Sequence, residues 1–369
     1  MRLKFLDGAR GIASLIVLID HVIFSFPAYH HSVASLTDLA NPVVWFRVTP
    51  LRLFVAGRPA VAIFFVLSGF VLALPFLAQR QGSYPDFLIK RVCRIWLPFA
   101  AAILVSAILC FYFYTDPRPP LWKFDAWTAP VTYGSIASHL FLVNGPDNIS
   151  LDFVMWSLVH EMRISIIFPL IVFLVIYSPR RTIFAAFVLN VVCGYFLHRG
   201  HEFLTVGLAG TGFYLLFFVV GATLAAHAET VKATLKQIPR YRQAGLIGLS
   251  LLLLMIPAVT IIIDDMYLVG AALVISILLA NPNAAAALET SIPTWLGRVS
   301  YSLYLIHVPI LTAAVFALDP VLPLWTIMAI AVPMTLIVAE LFHRAVEAPS
   351  MKLGRWLTQR RTAAAATGV

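Results

Sequence analysis

The chain has 369 residues, of which 61% are hydrophobic and only 12% are charged, and its mean hydropathy is +0.90. A soluble domain is about half apolar and a quarter charged, so this composition excludes an ordinary soluble protein and predicts a polytopic membrane protein. The net charge of +9 does not indicate nucleic-acid binding, because the basic residues lie between apolar segments, where membrane topology requires them.

Ten apolar segments approach the length of about 20 residues that a membrane-spanning helix needs. The fold class predicted is an all-α polytopic membrane protein, a bundle of about ten transmembrane helices. Residues 1–350 are expected to form one transmembrane domain and residues 351–369 a short tail. The long connection 116–156, rich in Pro, Trp and Asp, is expected to fold as a cap on the membrane surface. The spans are predicted at 9–28, 58–78, 95–115, 157–177, 182–198, 206–227, 244–263, 266–281, 299–318 and 322–344.

The distribution of Lys and Arg predicts the orientation of the chain. Alternate connections differ strongly in basic residues, and the more basic set contains both chain ends. Because cytoplasmic loops are enriched in Lys and Arg, both termini are expected in the cytoplasm. The short spans and this charge pattern favour a bacterial cytoplasmic (inner) membrane.

The first predicted span carries ionisable residues that a lipid-facing helix avoids. Arg10 and His21 are eleven residues apart, which places them on one helix face, about 16 Å apart along the axis. Asp7 lies one turn before Arg10, and Asp20 precedes the histidine. This pattern predicts the wall of a polar channel, with Arg10 near the cytoplasm and His21 near the membrane midplane. Neutral histidine is a natural general base. The structural alternative is a snorkelling arginine and a hydrogen-bonded histidine.

The next two spans carry a small-residue pair and a basic pair. In "FFVLSGFVL", Ser68 and Gly69 permit close approach of a neighbouring helix. In "KRVCRIWLP", Arg91 and Arg94 are one turn apart, and Lys90 precedes them. Paired guanidinium groups suit phosphate recognition, and ordinary positive-inside charge is the alternative.

Two later segments place polar residues inside apolar helices. "WSLVHEMRISIIFPL" contains Glu161, which is able either to orient a histidine or to pair with Arg163. "VSYSLYLIHVPI" contains Tyr304 and His307 at helical spacing. A hydrogen bond between helices is the structural interpretation of His307.

The cysteines and histidines do not predict a metal site. Cys93, Cys110 and Cys193 all lie in apolar or membrane-edge contexts, and their spacing suits neither a disulfide framework nor zinc. They are expected to pack as small apolar side chains.

Taken in order, these motifs resemble the acyltransferase 3 family of integral-membrane acyltransferases over nearly the whole chain. The resemblance rests on Arg10 and His21 with ten residues between them, the "FFVLSGF" span, the Arg91 and Arg94 pair, "YSLYLIH", and a closing Glu347-x-Pro349. Trp156, Ser157 and Glu161 match the family's "WSL…E" element.

The resemblance implies transfer of an acyl group, most often acetyl, from coenzyme A to a hydroxyl of a carbohydrate or lipid-linked glycan. Small-molecule acceptors such as macrolides occur among relatives. Longer relatives carry a fused hydrolase-like domain, which this chain is expected to lack. The implied partners are the lipid bilayer, an acyl-coenzyme A donor and a hydroxyl acceptor, and the chain is compatible with a homodimer.

The resemblance also implies roles for individual residues. Arg91, Arg94 and Lys90 would hold the phosphates of acetyl-coenzyme A, and Arg10 would line the path of its arm. His21 would act as general base, with Glu161 or Asp20 orienting the imidazole, or would carry the acyl group as an acyl-histidine. The residues expected at the substrate are Ser68, Trp156, Tyr301, Tyr304 and His307, with Ser68, Tyr301 and Tyr304 as candidate oxyanion donors.

A proton-coupled secondary transporter is the main alternative, because buried His, Asp and Arg residues also suit proton transport. Transporters usually contain internal repeats and discontinuous helices, and the sequence shows neither. A transporter needs no acyl donor, so consumption of a thioester distinguishes the two functions.

Overall fold

The computed structural model describes residues 3–30, 40–80, 82–120, 124–141, 150–199, 207–257, 260–319 and 321–367. In these ranges the chain is almost entirely helical and contains no strand. The all-α prediction is therefore confirmed for the described residues. The chain divides into two compact units: residues Met1–Gln79 with Ile167–Ser300, and residues Arg80–Ile166 with Tyr301–Val369. We call them unit 1 and unit 2.

Unit 1 contains most of the helices. Its α-helices are α1 (Lys4–Phe24), α2 (Pro27–His30), α3 (Pro42–Val48), α4 (Gly57–Leu77), α9 (Pro179–His198), α10 (Leu208–Ala226), α11 (Ala228–Gln237), α12 (Arg240–Met255), α13 (Asp264–Ala280) and α14 (Pro282–Leu288), with 3-10 helices at Pro50–Val55 and Ile261–Ile263. Helix α4 packs against α1, α10 and α13, and α10 also packs against α9.

Unit 2 contains α5 (Tyr84–Arg91), α6 (Leu97–Phe113), α7 (Tyr133–Leu140), α16 (Leu324–Phe342) and α17 (Ala348–Thr367), with π-helical turns at Val92–Trp96 and His343–Glu347. Two long helices, α8 (Met155–Tyr177) and α15 (Ser291–Leu318), contribute residues to both units. The predicted tail is thus helical as far as Thr367 and packs against α5.

Eight helical stretches in the described residues are long and apolar enough to cross a membrane. They are Gly57–Leu77, Tyr84–Phe113, Met155–Tyr177, Pro179–His198, Leu208–Ala226, Ile261–Ala280, Ser291–Leu318 and Leu324–Arg361. The predicted spans 9–28 and 244–263 correspond to α1 and α12, which are not among the eight. Helix α1 carries four charged residues, and α12 has only 16 residues. The count of ten and the cytoplasmic location of the termini remain predictions.

The first predicted span is displaced from the observed helix. Helix α1 begins at Lys4, where Phe5 and Leu6 are already buried, and it ends at Phe24, three residues before Pro27. Proline disfavours helical geometry in the residue before it, which explains the early end. His21 therefore lies in the last turn of α1. The predicted span 9–28 would have placed it closer to the middle of the helix.

The predicted cap at 116–156 lies in unit 2, and its described part is folded. The indole of Trp127 is fully buried and donates to the Ser106 hydroxyl, which in turn donates to the Leu151 carbonyl at 2.6 Å. Residues 121–123 and 142–149 of this segment lie outside the described residues.

Candidate functional site

The candidate residues lie in both units. In unit 1, α1 carries Arg10, Asp20 and His21, all half-buried. Arg10 and His21 lie on one helix, about 16 Å apart along its axis. The C-terminal end of a helix bears a partial negative charge, and His21 lies in this last turn of α1.

Asp20 faces the start of α4. A Cβ atom on Gly57 would collide with the Asp20 carboxylate, so the two residues are in direct contact. The first turn of a helix presents unpaired N–H groups and favours a negative charge. Asp20 therefore stabilises the beginning of α4, and its predicted role of orienting His21 stays a prediction.

Ser68 is half-buried on α4, and Gly69 beside it allows the close helix approach that the sequence predicts. A Cβ atom on Gly69 would overlap the Phe218 backbone of α10, and one on Gly221 of α10 would overlap the Val66 carbonyl of α4. The packing role is thus confirmed for Gly69. The substrate role of Ser68 is untested.

A charged cluster in unit 1 was not predicted from the sequence. The Arg58 Nη2 atom donates to Asp264 Oδ2 at 2.9 Å, and the Tyr214 hydroxyl donates to the same oxygen at 2.8 Å. Next to it, Asn190 Nδ2 donates to Asp265 Oδ1 at 3.0 Å. The two partners Arg58 and Asp264 are 206 residues apart, so only the fold brings them together.

In unit 2, the basic pair lies on and next to a π-helical turn. Arg91 ends α5, and Arg94 lies inside the turn Val92–Trp96. Pro98 follows this turn and has no N–H to donate to the Arg94 carbonyl, and a wide turn accommodates such a missing bond. The Tyr301 hydroxyl donates to the Ile95 carbonyl at 2.8 Å. Tyr301 thus braces the segment that carries Arg94.

The second π-helical turn, like the first, ends two residues before a proline. His343–Glu347 is followed by Pro349, the proline of the Glu-x-Pro element. The Ser302 hydroxyl donates to Glu347 Oε2 at 2.6 Å, and His343 Nδ1 lies 2.9 Å from the same oxygen. All three side chains are buried. Glu347, the last residue of this turn, therefore links its first residue, His343, to Ser302 of α15. The role of His343 was not predicted from the sequence.

The "WSL" and "YSLYLIH" elements meet in unit 2. The hydroxyls of Ser157 and Tyr304 lie 2.8 Å apart, and Tyr304 also donates to the Val154 carbonyl at 3.2 Å. The ring centres of Tyr304 and His307 are 5.9 Å apart, and His307 Nδ1 lies 3.0 Å from the Leu303 carbonyl. This intrahelical contact agrees with a structural role for His307, and the predicted substrate roles of Tyr304 and His307 are untested.

Trp156 and Glu161 are half-buried on α8, where the Trp156 ring lies edge-on to His160 at 6.1 Å. Asp152, just before α8, is a further buried carboxyl that the sequence analysis did not single out. Its Oδ1 accepts from the Val154 N–H at 3.3 Å, and its Oδ2 has no hydrogen-bond partner among the described residues. Burial raises the pKa of the Asp152 carboxyl well above its ordinary value.

The three cysteines are buried, as the packing interpretation predicts. The described residues contain no group of three or more His, Cys, Asp or Glu side chains arranged to hold a metal ion.

Fold and motifs together define a multi-pass helical membrane protein whose helices carry the motifs expected of a membrane acyltransferase. Comparison with known families is decisive about the class: the family model described as an acyltransferase domain, that of the acyltransferase 3 family, matches residues 3–344. The chain therefore belongs to this family, and the match supports an acyltransferase over a transporter.

One curated protein is similar over a shorter stretch. The O-acetyltransferase PaAT-1 of Phomopsis amygdali is 28% identical over 120 residues, which cover 29% of this chain and 22% of that protein. The similarity thus spans less than a quarter of the relative's length. No solved structure shows significant similarity to the chain.

Proposed function

We propose that this membrane acyltransferase moves an acyl group, in the simplest case acetyl, from coenzyme A to a hydroxyl group. The acceptor class that we propose is a carbohydrate or glycolipid, with a small hydroxylated molecule as the second choice. The observation that carries the proposal is the family match together with the Arg10–His21 helix and the Arg91–Arg94 pair. The similar protein PaAT-1, named an O-acetyltransferase, supports oxygen as the acceptor atom.

In the proposed reaction, Arg91, Arg94 and Lys90 hold the donor phosphates, and the guanidinium group of Arg10 lines the path of the thioester arm. His21 removes the proton of the acceptor hydroxyl as its oxygen attacks the thioester carbonyl. The C–S bond then breaks, and the imidazolium returns the proton to the departing thiolate. The variant in which the acyl group first bonds to His21 uses the same residue. Asp20 and Glu161 are the carboxylates proposed to stabilise the imidazolium.

Hydroxyl donors near the reacting carbonyl would stabilise its developing negative charge. The candidates are Ser68, Tyr301 and Tyr304, and the two tyrosines would have to exchange their hydrogen bonds to the Ile95 and Val154 carbonyls for one to the substrate. Trp156 and His307 are proposed to line the acceptor region. We place the protein in a bacterial cytoplasmic membrane, with the donor entering from the cytoplasm.

Release of free coenzyme A thiol tests the proposal. The purified protein in nanodiscs is mixed with acetyl-coenzyme A and a panel of methyl glycosides or a macrolide, and thiol is followed with a colorimetric reagent. The buried positions of Cys93, Cys110 and Cys193 keep the protein's own signal low. We expect acceptor-dependent release that is lost in His21→Gln and kept in His227→Gln, a matched change at an exposed histidine. Equal rates in wild type and His21→Gln would contradict the role of His21.

A further inference from the structure

The C-terminal helix lies beside the segment that carries Arg91 and Arg94, and three contacts define their relation. Arg361 Nε lies 3.4 Å from Asp86 Oδ1. Gly354 packs against Cys93 and the Lys90 backbone. Arg94 Nη1 contacts the Met351 sulfur at 3.7 Å. Residue numbers rise along one segment as they fall along the other, so the α5 segment and α17 run antiparallel.

This arrangement places basic residues of both helices on the same side. Lys90, Cys93 and Gly354 lie where the two helices touch. Arg91, Arg94 and Arg355 each come one residue later in the chain. One residue turns a helix by a little over a quarter of a turn. Right-handed helices that run in opposite directions turn in opposite senses when viewed from one end, so all three arginines project from the same flank of the pair.

Lys352 lies one turn before Arg355 and also projects toward this flank, further from the contact face. Both side chains are exposed, and neither forms an ion pair with an acidic residue among the described residues. Asp86 pairs with Arg361, and Glu347 binds His343 and Ser302. Arg91, Arg94, Lys352 and Arg355 together concentrate basic side chains on this flank.

We propose that Lys352 and Arg355 of the C-terminal helix complete a phosphate-binding surface with Arg91 and Arg94, and that this surface holds the phosphate groups of coenzyme A. The inference rests on the proposed function. A coenzyme A molecule carries roughly four negative charges, about two on its phosphomonoester and two on its diphosphate. Arg91, Arg94 and Lys90 carry three positive charges, fewer than the ligand's negative charges, and Lys352 and Arg355 supply the balance. Guanidinium and ammonium groups both bind phosphate through charge-assisted hydrogen bonds.

The test measures binding of unacylated coenzyme A by calorimetry to the full chain in nanodiscs of zwitterionic lipid. The variant is Lys352→Gln/Arg355→Gln, and the control is Arg360→Gln. Arg360 lies on the same helix but projects from the opposite flank, with its guanidinium 4.0 Å from the Trp356 ring centre. We expect the affinity to fall about tenfold or more in the double variant, because charge-assisted hydrogen bonds are lost, and to change less than about twofold in the control.

The other possible outcomes distinguish the proposed coenzyme A donor from the proposed role of α17. If the wild-type protein does not bind coenzyme A, the proposed donor fails. If the wild type binds and the double variant binds equally well, the role of α17 is overturned while the donor stands. Nanodiscs with added phosphatidylglycerol distinguish a lipid phosphate from that of coenzyme A. A double variant that loses only its response to this lipid would assign the surface to the membrane and overturn the inference.

Discussion

The hydroxyl groups of Ser157 and Tyr304 lie 2.8 Å apart, although 147 positions separate the two residues in the chain. One belongs to the "WSL" element at the start of α8, and the other to the "YSLYLIH" element of α15. Their contact ties two motifs of the family together inside unit 2, and the Val154 carbonyl accepts from the same tyrosine.

Replacing Tyr304 by Phe should lower the stability of the protein by about 1–2 kcal/mol, because the Ser157 hydroxyl and the Val154 carbonyl both lose a partner in a buried site. The midpoint of thermal unfolding in detergent, followed by circular dichroism, measures this loss. Adding Ser157→Ala to Tyr304→Phe should cost less than the sum of the single changes, by at least about 0.5 kcal/mol. Strict additivity would show that the two hydroxyls do not stabilise each other.

Asp152 should make the stability of the protein depend on pH. Because burial raises the pKa of this carboxyl in the folded state, the folded protein binds more protons than the unfolded chain above the ordinary pKa of aspartate. Stability should therefore fall as the pH rises from the unfolded pKa toward the folded one. Asp152→Asn keeps an oxygen for the Val154 N–H and removes the ionisation.

The measurement compares the unfolding temperatures of wild type and Asp152→Asn at a series of pH values. The advantage of the variant should be small at about pH 4, near the ordinary aspartate pKa, and should grow toward neutral pH. A difference that is constant across this range would mean that Asp152 titrates normally.

The Arg58–Asp264 ion pair should be a strong determinant of stability in unit 1. Asp264→Ala leaves the Arg58 guanidinium and the Tyr214 hydroxyl without their acceptor, so we expect a loss of about 3 kcal/mol. The value is at the low end for buried pairs because the Arg58 side chain is 38% exposed.

The surface pair Lys232–Glu229 provides the control, since Glu229 is 90% exposed and the atoms are 3.9 Å apart. Glu229→Ala should give no measurable change in the unfolding temperature. Similar losses for Asp264→Ala and Glu229→Ala would show that the buried pair does not hold α4 and α13 together.

Gly69 should tolerate no larger side chain. A methyl group at this position meets the Phe218 backbone, which has no room to move within packed helices, so Gly69→Ala should destabilise the protein by about 1–3 kcal/mol. Gly245→Ala on α12 is the matched change, because nothing lies within 4 Å of its added Cβ. There alanine should be neutral or stabilising by up to about 1 kcal/mol. A neutral Gly69→Ala would contradict the observed approach of α4 and α10.

The sequence predicts the helices of this protein better than it predicts their ends. Long apolar segments identify most of the helices, because hydropathy alone reports what a membrane helix requires. The ends depend on local chemistry that hydropathy does not contain. Pro257 ends α12 after Met255, which leaves that helix shorter than the predicted span 244–263. The π-helical turns before Pro98 and Pro349 extend two other helices beyond their predicted limits.

In the candidate site, likewise, the sequence predicts some features and not others. Regular spacing along a single helix identified Arg10 with His21 and Arg91 with Arg94. Contacts between distant segments, such as Arg58 with Asp264 or His343 with Glu347 and Ser302, arise only from the fold. The Glu-x-Pro element pointed to Glu347, and a histidine four residues before it was the available signal for His343.

Binding of acetyl-coenzyme A to the purified protein tests directly whether Arg91 and Arg94 form the donor site. Calorimetry compares wild type, Arg91→Gln/Arg94→Gln, His21→Gln, and Arg180→Gln/Arg181→Gln, an exposed basic pair that matches the change in charge. We expect the affinity to fall about a hundredfold in the Arg91/Arg94 variant and to stay near the wild-type value in the other two, with catalysis lost in His21→Gln. Absence of binding to wild type, or equal loss in both arginine variants, would contradict the proposed donor site.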